Sequence, residues 1–285
     1  MQSIEEFYSN ELMSGSFRLS DKEYRKLRDI IFNSAGIDLG ENKKELVHAR
    51  LSKILRRRAL SGFEEYMQIL RNDTTGEELV ILLDAISTNV THFFREEKHF
   101  AFLKEILGIN KNIKSLKIWS AGCSTGEEPY SIAMTLKETV LRDNPQLAPY
   151  ILATDLSTKV LDKAIKRVYP IKSVQNIDPI ILKKYFLKGT KSAEGMVKIR
   201  KEISSMVTFT RLNFTEGKIF PGDFDFIFCR NVMIYFNNLT RAEIVSKFYD
   251  SLKYGGYLII GHSESLNGIT HKFKYVKPTI YRKPD

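Results

Sequence analysis

The stretch "KIWSAGCSTGEEPYS", residues 117–131, predicts an apolar strand, a turn with two glycines and then a helix. Glu127 and Glu128 stand at the start of that helix. A loop that cradles phosphate uses glycines, backbone N–H groups and often a lysine, because its ligand is an anion at a helix N-terminus. The turn has Gly122 and Gly126 but neither the full Gly-x-Gly-x-x-Gly pattern nor a Gly-Lys-Ser/Thr ending. These residues therefore predict a ligand with hydroxyl groups and positive charge rather than a polyphosphate.

Other polar candidates follow successive strands of a predicted parallel sheet. From about Lys114 onward, short apolar runs alternate with helical stretches, which is typical of βαβ units. Ligands of such sheets lie beyond the carboxyl ends of the strands. The candidates at those ends are Gly122, Gly126, Glu127 and Glu128 after the first strand, Asp155 after the second, Asn213 and Phe214 after the third, and Arg230 and Asn231 after the fourth.

As a set, these positions favour a nucleoside-type ligand. Asp155 is placed to accept hydrogen bonds from ribose hydroxyls. Taken singly, Asp155 could cap the helix that follows it, and Asn213 could be a turn residue. The acidic first loop favours S-adenosylmethionine, which carries an ammonium and a sulfonium group, over a dinucleotide with its pyrophosphate.

The elements before this sheet are predicted to be helical. Ser20 and Glu23 have the spacing of a capping box, and the helix that they open should end at Gly36. A second helix should end at Gly62. It carries an apolar stripe of Val47, Leu51, Ile54 and Leu55 and a basic stripe of Arg50, Lys53 and Arg57. Two further helices are expected in "FEEYMQILR" and "EELVILLDAIS".

Size and composition indicate an ordinary globular protein of two domains. The 285 residues are 43% hydrophobic and 27% charged, and the formal net charge is +10. This charge predicts acidic partners without saying which acid. The start of the chain resembles no signal peptide and no apolar run reaches membrane-spanning length, so we expect a cytoplasmic protein. Cys123 and Cys229 are expected to be reduced thiols.

Three motifs together carry a family resemblance. They are "STNVTHFFRE" at residues 87–96, "WSAGCSTGEEPYS" at 119–131 and "FCRNVMIYF" at 228–236. With them, nearly the whole chain resembles the bacterial chemotaxis receptor methyltransferases, the CheR proteins. The resemblance implies a protein-glutamate O-methyltransferase. Such an enzyme transfers methyl from S-adenosylmethionine to glutamate side chains of methyl-accepting chemotaxis receptors and releases S-adenosylhomocysteine.

The resemblance also implies roles for individual residues. The implied cofactor-binding positions are Asn89, Thr91, Arg95, Ala121, Gly122, Glu127 or Glu128, Asp155, Asn213, Phe214, Arg230 and Asn231. Arg95 and Tyr235 are expected at the reacting centre, where Arg95 would orient the incoming carboxylate. The expected receptor-binding positions are Arg50 and Arg56, with Lys53 and Arg57 nearby. The five histidines show no metal-ligand spacing with cysteine or carboxylate, so no metal is expected.

The predicted architecture is an α/β fold with a Rossmann-like methyltransferase sheet, preceded in the chain by an all-α domain. Residues 1–88 would form the helical receptor-recognition domain, 89–113 a connecting segment that contributes to the active site, and 114–285 the cofactor-binding domain. A small β subdomain is expected as an insertion at about 169–206. Relatives that tether to a receptor peptide tend to have a third glycine in its loop, where this chain has Lys191, so we expect no tethering. The expected partners are the cytoplasmic domains of chemotaxis receptors, for a monomer that binds no nucleic acid and does not insert into membranes.

Three other functions remain open at this point. A nucleic-acid methyltransferase would share the fold and suit the positive charge, but an Asn/Asp-Pro-Pro-Tyr/Phe turn is absent at the fourth strand. A hydrolase is suggested by "GHSES" at residues 261–265, which begins like a Gly-x-Ser-x-Gly nucleophile elbow but lacks the final glycine. A receptor-binding adaptor without catalysis is the third, although all the implied cofactor positions are filled.

Overall fold

The computed structural model describes residues 17–86, 90–109, 113–216, 220 and 223–285. The chain forms two compact units, Met1–Thr88 and Asn89–Asp285. In the described part of the chain, no helix combines the length and the apolar character needed to cross a membrane.

The first unit is helical. Its helices are α1 (Asp21–Ala35), α2 (Lys44–Arg57), α3 (Phe63–Arg71) and α4 (Glu77–Ile86). The capping box of Ser20 and Glu23 is present, and the left-handed Gly36, with φ 67°, ends α1 as predicted. The predicted apolar stripe of α2 is confirmed, because all four of its residues are buried.

The predicted end of α2 at Gly62 is wrong. The helix ends at Arg57, and Ala59 takes the left-handed conformation with φ 51°. The N–H of Ala59 donates to Arg56 O over 3.1 Å and the N–H of Leu60 to Leu55 O over 3.0 Å, which is the Schellman pattern. Gly62, with an extended φ of 172°, directly precedes α3 instead. Because an alanine occupies the position that usually holds glycine, the sequence carried no stop signal there.

The second unit is built on a seven-stranded, mostly parallel sheet. Its order is β6-β2-β1-β7-β8-β10-β9, in which the first five strands pair in parallel and the last two are antiparallel. The strands are β1 (Lys117–Ala121), β2 (Tyr150–Asp155), β6 (Val207–Arg211), β7 (Phe224–Cys229), β8 (Leu252–Ile260), β9 (Lys274–Lys277) and β10 (Ile280–Arg282). The helices are α5 (Glu97–Ile109), α6 (Glu127–Glu138), α7 (Val140–Asp143), α8 (Thr158–Lys166), α9 (Pro179–Tyr185), α10 (Lys201–Ser204) and α11 (Asn238–Ser251).

Both faces of the central strands are buried. Ile118 and Phe226 contribute to one hydrophobic core, whereas their chain neighbours Trp119 and Ile227 contribute to a second core. Successive side chains of a strand point to opposite faces of the sheet, so a strand covered on both sides reads as a continuous apolar run. This explains why these strands were recognisable from short apolar runs.

A second, three-stranded antiparallel sheet interrupts the alternation as predicted. Its order is β3-β5-β4, from β3 (Val168–Pro170), β4 (Phe186–Lys188) and β5 (Met196–Ile199). The predicted hairpin turn "GTKSAEG" joins β4 to β5, and the predicted antiparallel pair at the end of the chain is β9 and β10. The predicted fold class, an α/β sheet with a small inserted β subdomain that follows an all-α domain in the chain, is confirmed.

Candidate active site

The glycine turn after β1 is held between two neighbouring strand ends. The N–H groups of Gly122 and Cys123 donate to Thr154 O over 2.8 and 2.9 Å. Gly122 has φ 86°, and a Cβ built there would lie 2.3 Å from Val232 Cγ2, beyond the end of β7. Only glycine satisfies both the left-handed backbone and this close approach. The predicted turn therefore brings the ends of β1, β2 and β7 together at a position that requires glycine.

Asp155, at the end of β2, connects the same turn to the next strand. Its carboxylate accepts from the backbone N–H of Ser124 over 2.8 Å and of Ser157 over 3.0 Å. Its carbonyl accepts from Leu212 N, 3.0 Å away, just after β6. Asp155 thus lies at the same edge as the glycine turn.

Asn213 and Phe214 lie at this edge too, but the protein itself engages their side chains. Asn213 Oδ1 accepts from the N–H and hydroxyl of Thr215 over 3.1 and 2.9 Å, and Nδ2 donates to Glu216 over 2.9 Å. Phe214 is buried, with its ring centroid 6.3 Å from that of Trp119. The Asn213 side chain therefore stabilises a turn at this edge of the sheet.

Glu127 and Glu128, which the sequence did not distinguish, have different surroundings. Glu128 accepts from the Ser120 hydroxyl over 2.7 Å, and its second oxygen lies 3.0 Å from Arg230 Nη1. Glu127 accepts from the Thr125 hydroxyl over 2.6 Å. Among the described residues, no cationic nitrogen lies within 4.0 Å of the Glu127 carboxylate. Burial raises the pKa of both groups, opposed at Glu127 chiefly by Thr125 and at Glu128 chiefly by Arg230.

Arg230 is the centre of a buried ion network. Its side chain is 2% exposed, and besides Glu128 it contacts Glu96, with Nη2 3.1 Å from Glu96 Oε2. It also donates to the carbonyl oxygen of Arg95. Burial would raise the pKa of Glu96, but Arg230 and the N–H of His262 outweigh it and lower that pKa. The network joins the segment before α5, the start of α6 and the end of β7. Glu96 was not among the predicted site residues, although it ends the quoted motif "STNVTHFFRE".

The segment that carries Thr91 and Arg95 packs on the same edge. The N–H of Phe94 donates to Ser131 Oγ of α6 over 2.9 Å. The half-buried Arg95 side chain donates to Val90 O over 2.9 Å, and Thr91 is half-buried. Asn89 lies outside the described residues. The ion network therefore brings Arg95 close to the strand ends.

Asn231 and Tyr235 follow β7. Asn231 has φ 60°, and a 3₁₀ turn at Met233–Tyr235 comes next. The N–H of Tyr235 donates to Val232 O over 3.2 Å, and the Tyr235 side chain is half-buried. Ala121, the last residue of β1, is fully buried.

The predicted receptor-binding residues belong to α2 of the first unit and differ among themselves. Lys53, Arg56 and Arg57 are exposed. Arg50 instead donates to Ile86 O over 2.5 Å and to Ala85 O over 3.3 Å, at the end of α4. A cation there also complements the negative end of the helix dipole. Arg50 thus contributes to the packing of the first unit.

Glu96, His99 and His262 form a cluster that the sequence spacing did not reveal. Their potential ligand atoms all lie within 4.8 Å of one another. Arg230 Nη2 lies 3.1 Å from Glu96 Oε2, so a divalent cation would have to compete with the guanidinium for that carboxylate oxygen. We therefore assign no metal to this cluster.

The electrostatics of the glycine turn fit S-adenosylmethionine. Burial raises the pKa of the Cys123 thiol, and the carboxylates of Asp155, Glu128 and Glu127 raise it further. The turn is thus surrounded by carboxyl groups, which favour a sulfonium or ammonium group and disfavour phosphate. Asp155 offers the carboxylate that a ribose diol requires. The donor and acceptor set at this edge therefore suits the cofactor predicted from the sequence.

Comparison with known proteins identifies the family. The profile described as "CheR methyltransferase, SAM binding domain" matches residues 89–282, and "CheR methyltransferase, all-alpha domain" matches residues 22–87. The chain is 40% identical over 276 residues to a chemotaxis protein methyltransferase of Borreliella burgdorferi, covering 94% of this chain and 96% of that protein. It is 38% identical over 273 residues to the chemotaxis protein methyltransferase of Escherichia coli, covering 94% and 93%. The chain therefore belongs to the CheR family of S-adenosylmethionine-dependent chemotaxis methyltransferases.

Proposed function

We propose that this protein is a protein-glutamate O-methyltransferase, which esterifies glutamate side chains in the cytoplasmic domains of methyl-accepting chemotaxis receptors during adaptation. The observation that carries this proposal is the position of Arg95. Its carbonyl accepts a hydrogen bond from Arg230, which also pairs with Glu128 at the edge formed by the carboxyl ends of the strands. The backbone of Arg95 is therefore tied to the edge that carries a turn suited to a cationic cofactor. We assign its guanidinium, which suits a carboxylate, to the substrate.

We assign the cofactor contacts as follows. Asp155 accepts the ribose hydroxyls, and Glu127 receives the ammonium group. Glu128 is already paired with Arg230, so we assign these two residues a structural role, in which they link the start of α6 to the end of β7. The other implied positions line the same cofactor site; they are Asn89, Thr91, Ala121, Gly122, Asn213, Phe214 and Asn231. When bound, S-adenosylmethionine supplies an electrophilic methyl group.

The chemistry asks the protein mainly to position the substrate. A glutamate side chain has an ordinary pKa of about 4.3, so it is already a carboxylate near neutral pH and needs no general base. Holding the reacting atoms in line about 3 to 3.5 Å apart supplies much of the acceleration. Arg95 orients the incoming carboxylate and Tyr235 hydrogen-bonds to it. Too tight a hold by Arg95 would stabilise the ground state and slow the reaction, which limits Arg95 to positioning.

We propose a division of labour along the chain. Residues 1–88 recognise the receptor, 89–113 link the domains and contribute Arg95, and 114–285 bind the cofactor, with the insertion at about 169–206. Lys53, Arg56 and Arg57 present exposed positive charge on α2 to an acidic receptor surface. The protein acts as a monomer.

A labelling assay tests the reaction. Incubation with radiolabelled S-adenosylmethionine and a receptor cytoplasmic domain should give label on glutamate that mild base releases, because methyl esters are base-labile. Arg95→Ala and Tyr235→Phe should lower kcat/KM by about 10- to 100-fold. Arg142→Ala, at a side chain 71% exposed, is the matched control. Base-stable label, label on nucleic acid, or full activity in both variants would contradict the proposal.

Calorimetry tests the cofactor assignment separately. Asp155→Asn should weaken S-adenosylhomocysteine binding by about tenfold or more, since a charge-assisted hydrogen bond to the ribose is lost. Asp143→Asn, at an exposed side chain, should leave binding unchanged. Equal affinity in wild type and Asp155→Asn would remove Asp155 from the cofactor site.

A further inference from the structure

A single buried carboxylate gathers four backbone N–H groups beside the candidate active site. Glu264 is 7% exposed. Its Oε1 accepts from the N–H groups of Val232 and Met233, over 2.9 and 2.8 Å. Its Oε2 accepts from the N–H groups of Asn231 and Gly261, over 2.9 and 2.6 Å. Three consecutive N–H groups after β7 thus converge on one side chain that follows β8.

This convergence determines the shape of the turn after β7. Consecutive N–H groups that point into one concavity form an anion-binding nest, and here the anion is the protein's own Glu264. Hydrogen bonds to an ionised acceptor are about twice as strong as neutral ones. Asn231 adopts a left-handed φ of 60°, a conformation that asparagine takes more readily than most residues with a side chain. The bonds from Asn231, Val232 and Met233 hold this turn in place.

Gly261 lets the two loops approach each other. A Cβ built at Gly261 would lie 2.7 Å from Asn231 Nδ2 and 2.9 Å from Glu264 Oε2. Any larger residue would push Asn231 and Glu264 apart. The motif "GHSES" is thereby explained by Gly261 and Glu264. Ser263, the serine of the suspected nucleophile elbow, is exposed, and no helix follows it directly as an elbow requires.

We propose that Glu264 is a positioning residue for methyl transfer, whose carboxylate holds the turn that carries Asn231 and Tyr235 at the carboxyl end of β7. The 3₁₀ turn begins at Met233, whose N–H Glu264 binds, and Tyr235 N–H bonds back to Val232 O over 3.2 Å. Displacing the turn therefore displaces both side chains. This inference rests on the proposed function, which assigns Asn231 to the cofactor and Tyr235 to the substrate carboxylate.

Two variants separate the shape of the turn from the charge of the carboxylate. Glu264→Gln keeps the size, but its amide nitrogen faces two N–H donors and has no lone pair with which to accept their hydrogen bonds. Glu264→Asp keeps the charge, but its carboxylate is shorter by one carbon–carbon bond of about 1.5 Å, too short to reach all four N–H groups. Both variants should lower kcat/KM by about 10- to 100-fold, as displacements of about 1 Å in an active site do. Both should also weaken S-adenosylhomocysteine binding and speed amide hydrogen exchange at residues 231–233.

Two controls distinguish positioning from general destabilisation. Glu243→Gln makes the same chemical change at an exposed site of α11 and should change nothing. Lys283→Met removes a buried lysine that donates to Tyr249 O and Leu252 O, each over 2.8 Å. It should destabilise the fold and leave kcat/KM and S-adenosylhomocysteine affinity unchanged at a temperature where the protein is folded. If Glu264→Gln does not fold, Glu264→Asp and Gly261→Ala provide the same comparison.

The outcomes are distinct. A wild-type kcat/KM in Glu264→Gln would overturn the inference. A wild-type kcat/KM in Glu264→Asp would overturn it too, because the charge of residue 264 would then matter and the position of its carboxylate would not. An equal loss of kcat/KM in Lys283→Met would also overturn it. Absence of base-labile ester in the wild type would instead refute the proposed function. The exchange rates and the affinity for S-adenosylhomocysteine would still test the Glu264 turn in that case, because neither requires a receptor.

Discussion

Arg230 Nη1 lies 3.0 Å from Glu128 Oε2, and this ion pair connects the end of β7 to the first turn of α6. Arg230 is buried, with its side chain 2% exposed, and the Glu128 side chain is only 12% exposed. In the low dielectric of such a site, the loss of one charge leaves the other without compensation. We therefore expect the pair to stabilise the edge of the sheet at the carboxyl ends of β1 and β7.

The first prediction concerns this pair. Arg230→Met should lower the free energy of unfolding by about 3–5 kcal/mol, because Glu96 and Glu128 lose their buried cation. Urea unfolding followed by Trp119 fluorescence measures the loss. Adding Glu128→Gln should recover part of it, since one orphaned charge disappears. Strictly additive losses would show that the pair is not coupled. Lys184→Met, at an exposed pair with Glu138, is the control and should have little effect.

The second prediction concerns Gly122. Gly122→Ala imposes both a left-handed φ and a clash with Val232, whereas Gly195→Ala imposes a φ of 77° with no atom within 4 Å. We expect Gly195→Ala to cost about 1–2 kcal/mol and Gly122→Ala about 1–3 kcal/mol more. Thermal unfolding compares the two. Val232→Ala should partly rescue Gly122→Ala by removing the clash, and equal losses in the two glycine variants would contradict the contact.

The third prediction is a pH dependence of stability. Burial, together with the charge of Arg230, lowers the pKa of His99 to about 3 against the opposing effect of Glu96. The unfolded chain binds this proton at about pH 6.5, so the contribution of His99 to stability is complete above that pH. It is lost as the pH falls from about 6.5 towards 3, with a slope of up to about 1.4 kcal/mol per unit. His99→Gln should flatten the stability profile from urea unfolding between about pH 6.5 and 5. An unchanged slope would show that His99 is protonated in the folded state.

The fourth prediction separates Arg50 from its neighbours on α2. Arg50→Ala should lower the stability of the first unit by about 1.5–3 kcal/mol, because the hydrogen bond to Ile86 O involves a charged donor. Lys53→Glu should leave the stability unchanged and raise the KM for the receptor, with an effect that shrinks in high salt. Denaturation and receptor titration measure the two effects. A destabilised Lys53→Glu or a fully stable Arg50→Ala would contradict this division.

Much of the fold could be predicted from patterns among residues that are close together in the chain. The capping box at Ser20, the apolar runs of β1, β2 and β7, and the glycine turn at 122–126 were all recognisable, because each depends on residues close together in the chain. The placement of Asp155 at a strand end followed from the general geometry of parallel sheets. The end of α2 was missed because Ala59 adopts a conformation that sequence rules reserve for glycine.

By itself, the sequence determined the order and type of the elements, the acidic character of the cofactor turn and the family to which the motifs belong. Only the tertiary structure decided which of two adjacent glutamates pairs with Arg230, a residue 102 positions away, and that Glu264 binds the turn after β7. It also showed that the Arg50 guanidinium donates to Ile86 O at the end of α4. The physical reason is that a propensity or a periodicity acts between near neighbours. A buried ion pair or a shared carboxylate depends on distances that exist only once the strands have assembled.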